Sequence, residues 1–172
     1  MNSDQRTKHY TASMFVMNKS SKGWKILFVH HKKFDRWMIP GGHVEDYENP
    51  VEAVLRETFE ETQTTPKLIS FINREVPGTD STWLLPPEFF FEQLIPARKD
   101  EAEHYHLDCC YVGVVDDDSI MHRVEESNDI GWFNLQEIRD NTSMFLSTQT
   151  LAINLLEKLE REEPFTYEQS RI

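Results

Sequence analysis

Residues 41–63 read GGHVEDYENPVEAVLRETFEETQ, and they contain the clearest helix of the sequence. The second half of this stretch predicts a helix, because Asn49 is a good N-cap, Pro50 suits the first helical position and Glu52 completes a capping box. One stripe at helical spacing follows, formed by Val51, Leu55, Thr58 and Thr62. The stripe predicts which side of the helix is buried.

Three acidic residues of this helix lie off the buried stripe. Glu57, Glu60 and Glu61 stand at i, i+3 and i+4, which places their carboxylates on one face within about one turn. Like charges so close repel each other unless a cation compensates them. An all-carboxylate set suits Mg²⁺ or Mn²⁺ better than Zn²⁺, for which no His/Cys set is apparent in the sequence. A solvated acidic face is the alternative interpretation.

Two features beside the helix favour the metal site over a solvated face. A Gly41-Gly42 turn precedes the helix, and there a backbone carbonyl can approach a metal ion with no Cβ in the way. Arg56 has a possible partner in Glu48, and this ion pair would tie the loop to the helix. The carboxylates would then be held in place for a ligand.

The motif as a whole has a regular spacing. It runs Gly42, five residues, Glu48, seven residues, Arg56-Glu57, two residues and Glu60-Glu61. This spacing resembles the signature of the Nudix hydrolases, the MutT-like family. The resemblance implies an α/β (α+β) fold, an α/β/α sandwich whose mixed sheet has a helix on each side. It also implies a single domain over residues 1–172, with its core at about 10–160.

The resemblance also implies a set of site residues. Glu57, Glu60 and Glu61 would be the metal ligands, together with the carbonyl of Gly41. Arg56 and Glu48 would form the structural ion pair that fixes the loop. The cofactor would be Mg²⁺ or Mn²⁺, and Glu60, Glu61, Arg56 and Glu48 would count as catalytic residues.

The implied reaction is hydrolysis of the diphosphate in a nucleoside diphosphate linked to another moiety, so the partner would be a small nucleotide-type substrate. In some family members a Glu in the loop before a late Trp strand acts as general base or adds a metal ligand; the alternative is a solvated loop acid. Here the candidates are Glu125 and Glu126, and Glu126, six residues before Trp132, is preferred. The alternative function is a non-catalytic domain of the same fold that senses a nucleotide.

A strand-like segment carries a second group of polar side chains. His104, His106 and Asp108 alternate, so they share one face of a strand. This pattern, together with His43 and the preceding His30-His31, resembles a bacterial Nudix subgroup of unassigned substrate. The face could line the substrate pocket or hold a proton relay, or it could be an ordinary hydrogen-bonded edge.

Two departures from the family pattern concern the helix. The family usually has Gly two positions after the last Glu, and here Gln63 occupies that position, which predicts a strained or rerouted helix end. Thr58 and Thr64 replace apolar residues, which predicts weaker packing but unchanged chemistry.

Strands and a second helix are predicted around the motif. The predicted strands are 9–17, 24–31, 37–39, 67–74, 88–95, 105–115 and 129–133, and a second helix is predicted at about 147–160. Phe89, Phe90 and Phe91 are expected to be strand and core residues, and Trp83 is a candidate for stacking on a nucleobase. An apolar strand edge there leaves a homodimer open.

Composition narrows the class of protein. The 172 residues carry 18 Lys+Arg and 30 Asp+Glu, which gives a net charge of −12. This negative charge argues against binding to nucleic acid or to an anionic membrane surface. No apolar run is long enough to span a membrane. Cys109 and Cys110 are strand neighbours that face opposite ways, so they are poorly placed to bridge each other. A reducing cytoplasm is the expected location.

Overall fold

The computed structural model describes residues 6–72, 80–99, 101–120, 127–162 and 164–166, and within these ranges it has nine strands and three helices. The strands are β1 Lys8–Ser20, β2 Gly23–His31, β3 Arg36–Met38, β4 Gly41–His43, β5 Lys67–Ser70, β6 Phe89–Ile95, β7 His104–Val115, β8 Ser127–Asn134 and β9 Phe165–Thr166. The helices are α1 Pro50–Thr62, α2 Leu135–Asp140 and α3 Leu146–Leu159.

The strands form one mixed sheet with the order β3-β2-β1-β7-β5-β9. β4 also pairs with β1, β6 with β7, and β8 with β2. β1 and β7 are parallel, with Lys8 opposite Tyr105 at one end and Asn18 opposite Val115 at the other. The N-terminal ends of both strands therefore lie at the same end of the sheet. β4 lies there too, because it pairs with residues Thr11–Ser13 of β1.

The sheet is covered on both faces, as the sandwich prediction requires. Val51, Ala53 and Val54 of α1 pack in one core cluster, with alternate side chains of β1 and β7. Side chains of α2 and α3 pack in a second cluster on the other face. Cys109 belongs to the first cluster and Cys110 to the second, so the two thiols do face opposite ways.

Helix α1 begins as predicted from its capping residues. The Asn49 side chain accepts hydrogen bonds from the backbone N–H groups of Val51 and Glu52, at 2.9 and 3.2 Å. The Glu52 carboxylate in turn accepts from the Asn49 N–H at 2.8 Å, which completes the capping box. At the other end Gln63 adopts the left-handed conformation, with φ of 57°. The helix therefore ends in the turn that glycine usually makes, although no glycine is present.

Replacing Gln63 by Gly is expected to raise the free energy of unfolding by about 0.5–1 kcal/mol. The reason is that a residue with a Cβ is strained at this φ and Gly is not. Urea denaturation of the two proteins measures the difference. The Gln63 side chain donates to the Phe59 carbonyl at 2.7 Å. Equal or lower stability of the variant would mean that this bond outweighs the backbone strain.

The structure differs from the sequence-based prediction in several elements. Gly41 and Gly42, predicted as a turn, form strand β4, and β5 ends at Ser70. The short helix α2, capped by Asn134, was not predicted. Phe90 and Phe91 lie on strand β6 but are exposed, so the prediction that they are core residues was wrong. None of the described helices is long and apolar enough to cross a membrane.

Candidate active site

Strand β4 lies directly against the acidic face of α1. The N–H of Gly41 donates to Glu61 Oε2 at 3.0 Å. A Cβ on Gly42 would lie 2.4 Å from the Glu57 carboxyl carbon, and one on Gly41 would lie 2.5 Å from the Ala12 carbonyl oxygen on β1. Both glycines are therefore required by close approach. The structure brings Gly41, Glu57 and Glu61 together at the junction of β4 and α1.

Arg56 contacts three carboxylates at once. Its Nε and one terminal nitrogen donate to the two oxygens of Glu48, at 2.7 and 2.9 Å. Its other terminal nitrogen donates to Glu57 at 2.8 Å and to Glu60 at 3.1 Å. The bond from Arg56 holds the pKa of Glu48 below its usual value, and the same interactions raise the pKa of Arg56. The guanidinium therefore ties the loop before α1 to the acidic face of the helix.

The three glutamates differ in exposure. Glu61 is buried, the side chain of Glu57 is mostly buried, and that of Glu60 is 47% exposed. Within the described ranges their oxygens do not converge on one point, and the guanidinium of Arg56 lies between Glu57 and Glu60. A cation that bound here would have to take over part of the charge compensation that Arg56 now provides.

This donor set fits a hard divalent cation. Three carboxylates within one helical turn offer only oxygen ligands, which Mg²⁺ and Mn²⁺ prefer. The Glu57 carboxylate also fills the space that a Cβ on Gly42 would take, so the strand is shaped to accept it. In the part of the chain described by the structure, no histidine or cysteine belongs to this donor set.

Other predicted residues have mixed outcomes. Glu125 and Glu126, the candidates for the general base, lie outside the described residues. Trp83 packs partly buried against the α1-side core. The Thr58 hydroxyl is fully buried and has no hydrogen-bond partner among the described residues, which costs stability because a buried polar group loses its bonds to water. Thr64 is also buried, but its hydroxyl lies 2.7 Å from that of Thr62.

Four imidazoles meet at the edge where β1, β4 and β7 come together. We name this group the histidine cluster, and it consists of His9, His43, His104 and His106. One ring nitrogen from each lies within 4.8 Å of the others. Burial and the neighbouring imidazoles lower the pKa of His106 to about 4, and burial likewise lowers the pKa of His43. The sequence-based statement that no His/Cys set is present was therefore wrong.

Asp108, the third member of the predicted alternating face, binds hydroxyl groups of β1 and is not part of the histidine cluster. Its carboxylate accepts hydrogen bonds from Thr11 Oγ1 at 2.9 Å and from Ser13 Oγ at 2.6 Å. Burial raises its pKa above the usual value. Asp108 therefore links β7 to β1 beside the histidine cluster.

A pocket of about 670 Å³ opens beside these groups. His9, Tyr10, His43, Glu48 and Glu101 contribute to its lining. Tyr10 is 54% exposed and contributes a phenol ring to this lining. The pocket therefore connects the histidine cluster to the loop that Arg56 holds.

Comparison with known proteins decides the family. The family model described as NUDIX domain matches residues 7–151. The chain belongs to the Nudix family. Among curated proteins, a nucleoside triphosphate pyrophosphatase/Nudix hydrolase fusion protein of Bifidobacterium longum is 34% identical over 86 residues. The match covers 46% of this chain but only 17% of that protein.

Solved structures share the fold of this Nudix chain. A NUDIX family hydrolase from Clostridium perfringens has a TM-score of 0.72 at 23% identity, covering 88% of this chain and 97% of that one. The NUDIX domain of Shewanella oneidensis NrtR, complexed with ADP ribose, has a TM-score of 0.60 at 16% identity, covering 92% of this chain and 94% of that one. An Ap4A hydrolase of C. elegans, solved as a binary complex, has a TM-score of 0.61 at 14% identity, covering 88% of this chain and 98% of that one.

Proposed function

We propose that this Nudix chain hydrolyses a phosphoanhydride bond in a nucleoside diphosphate linked to another moiety, and that it needs a hard divalent cation to do so. One observation carries the proposal: the carboxylates of Glu57 and Glu61 lie against the glycine strand β4. Family membership supports the same chemistry.

Glu57, Glu60, Glu61 and the carbonyl of Gly41 would hold the cation, which we take to be Mg²⁺ or Mn²⁺. When bound, such a cation screens the charge of the diphosphate and lowers the pKa of a water molecule. The negative net charge of the protein is then compatible with an anionic substrate, because the cation and not lysine side chains would neutralise the diphosphate. Glu126 is our candidate for the general base that takes the proton from the attacking water.

Arg56 and Glu48 act as positioning residues in this proposal. The guanidinium holds Glu57 and Glu60 on one side and the loop residue Glu48 on the other. Because Arg56 contacts both oxygens of Glu48, the loop is held in a fixed position relative to the helix.

We propose that residues 1–172 act as one domain and that the protein works in a reducing cytoplasm. A homodimer formed through strand β6 would be compatible with the site.

The substrate class rests on the pocket and on the relatives. The pocket has room for a nucleotide-sized ligand and exposes the ring of Tyr10 at its side, where a base could stack. Fold relatives bind ADP ribose or are named for Ap4A, both of which contain phosphoanhydride bonds between two larger groups. These properties agree with a diphosphate flanked on both sides.

A substrate screen tests the proposal. The chain is incubated with ADP-ribose, nucleoside diphosphate sugars, dinucleoside polyphosphates and (deoxy)nucleoside triphosphates, and products are measured as phosphate released after phosphatase treatment. We expect turnover of at least one diphosphate-linked substrate with Mg²⁺ or Mn²⁺ and none with chelator. Binding of a nucleotide without turnover would favour the nucleotide-sensing alternative, and turnover independent of metal would contradict the proposal.

A further inference from the structure

We propose that the histidine cluster binds one divalent transition-metal ion of the Zn²⁺ class, at a site separate from the carboxylates of α1. The four residues come from three strands that the parallel pairing of β1 and β7 brings to one edge. Imidazole nitrogen is the ligand that Zn²⁺, Ni²⁺, Co²⁺ and Cu²⁺ accept and that Mg²⁺ avoids.

The spacing of the nitrogens suits such an ion. In a tetrahedral site with Zn–N distances of about 2.0–2.1 Å, ligand nitrogens lie about 3.3 Å apart. His104 Nε2 and His106 Nε2 are 3.1 Å apart, and the full set lies within 4.8 Å. Small rotations of the outer rings would therefore complete the shell.

A hydrogen bond outside the cluster fixes the buried ring in the right form. His104 Nδ1 lies 2.8 Å from the carbonyl oxygen of Ala102, which can only accept, so Nδ1 carries the proton. The lone pair of neutral His104 is then on Nε2, the nitrogen that faces His106. Metal-binding histidines in proteins show this same arrangement, with the second nitrogen bonded to a carbonyl or carboxylate.

The surroundings supply a compensating charge and a way in. Glu101 Oε1 lies 3.5 Å from His104 Nε2, which places a negative charge beside the cluster. The ring of His104 is almost fully buried, whereas His43 is exposed and lines the pocket described above. An ion can therefore enter past His43 and reach His104 from the solvent side.

The two sites lie on opposite faces of the sheet. Gly42 faces Glu57 on α1, so the next residue of the strand, His43, points to the other face. A metal ion in the histidine cluster would tie β4 to β1 and β7, and β4 is the strand whose glycines contact the carboxylates. Its expected effect is to stabilise the strand that supports the active site.

The experiment titrates tag-free, chelator-treated chain with Co²⁺ and then Zn²⁺ in excess Mg²⁺, which keeps the carboxylates saturated. Tetrahedral Co²⁺ absorbs visible light far more strongly than Co²⁺ held by carboxylates and water. The variants are His43→Gln and His106→Gln, with His30→Gln on β2 as the matched control outside the cluster. Glu57→Gln separates this site from the proposed catalytic one, and thermal melting reports folding.

We expect one Co²⁺ per chain with the strong visible band, displaced by Zn²⁺, and a Zn²⁺-dependent rise in Tm. His43→Gln and His106→Gln should weaken binding by at least about tenfold, while His30→Gln and Glu57→Gln should not change it. Because His43 is exposed, its variant should fold normally. Three results would overturn the proposal: no strong visible band, binding of Co²⁺ by both cluster variants as tightly as by the wild type, or loss of binding in Glu57→Gln alone. Each of these results is independent of whether the substrate screen succeeds.

Discussion

Replacement of Glu61 by Gln is expected to lower kcat/KM by a factor of about 10²–10³ with the fold intact. The change removes one negative charge from the proposed metal site, and loss of several kcal/mol of charge stabilisation in the transition state corresponds to that factor. Gln keeps the size of the side chain and an oxygen that can still accept from the Gly41 N–H. Steady-state kinetics with Mg²⁺ on the best substrate of the screen measures the effect.

Glu157→Gln is the matched control for this variant. Glu157 lies on α3 and pairs with Arg139 at 2.9 Å, far from the proposed site along the chain. The same change of charge there is expected to leave kcat/KM within about twofold of the wild type. Equal activity of Glu61→Gln and wild type would remove Glu61 from the catalytic machinery.

Replacement of Arg56 by Met is expected to lower the free energy of unfolding by about 1–3 kcal/mol at pH 7. The Glu48 side chain is only 8% exposed, so loss of the guanidinium leaves a nearly buried carboxylate without its main partner. It also leaves Glu57 and Glu60 to repel each other. Urea denaturation gives the difference, and kcat/KM should fall as well because the carboxylates lose their positioning contact.

The effect of Arg56→Met should depend on pH in a defined direction. Arg56 lowers the pKa of folded Glu48 below 4.5, so the pair contributes its full stability above that pH. As pH falls through the lower folded pKa, Glu48 becomes protonated and the contribution is lost. The difference between wild type and variant should therefore shrink as the pH falls from 4.5 through the lower pKa of folded Glu48. A difference that stays constant from pH 7 to pH 3 would show that Arg56 stabilises by packing alone.

An exposed ion pair provides the control for Arg56. Arg139 and Glu157 are both more than 40% exposed, so water screens their interaction. Arg139→Met is expected to change the free energy of unfolding by less than about 1 kcal/mol. A similar loss of unfolding free energy in both variants would indicate that the Arg56 network stabilises the fold no more than an exposed ion pair does.

Local chemistry made the α1 region predictable from sequence. The capping box at Asn49 and the helical stripe depend on residues within a few positions of each other, so they are readable without tertiary structure. The position of Arg56 beside Glu48 likewise follows from a spacing of one loop and two helical turns. Strand β4 was missed because glycines carry no side-chain pattern, and its pairing with β1 is a long-range contact.

The histidine cluster was beyond prediction for a related reason. Alternation of His104 and His106 was visible, but His9 joins them only because β1 and β7 are parallel in a register that places His9 opposite His106. Nothing local in the sequence determines that register. The exposure of Phe90 and Phe91 also depends on tertiary structure, because neither side chain belongs to the two core clusters in which the helices pack on the sheet.

A crystal soaked in Mn²⁺ and measured at the manganese absorption edge would locate the cation that the carboxylates of α1 are proposed to hold. We expect an anomalous peak within bonding distance of the carboxylates of α1 and of the Gly41 carbonyl oxygen, because Mn²⁺ prefers oxygen ligands. Glu57→Gln and Glu61→Gln crystals should lose it. Carboxylates that stay paired with Arg56 in the soaked crystal, with no manganese beside them, would show that this face of α1 does not hold the cation.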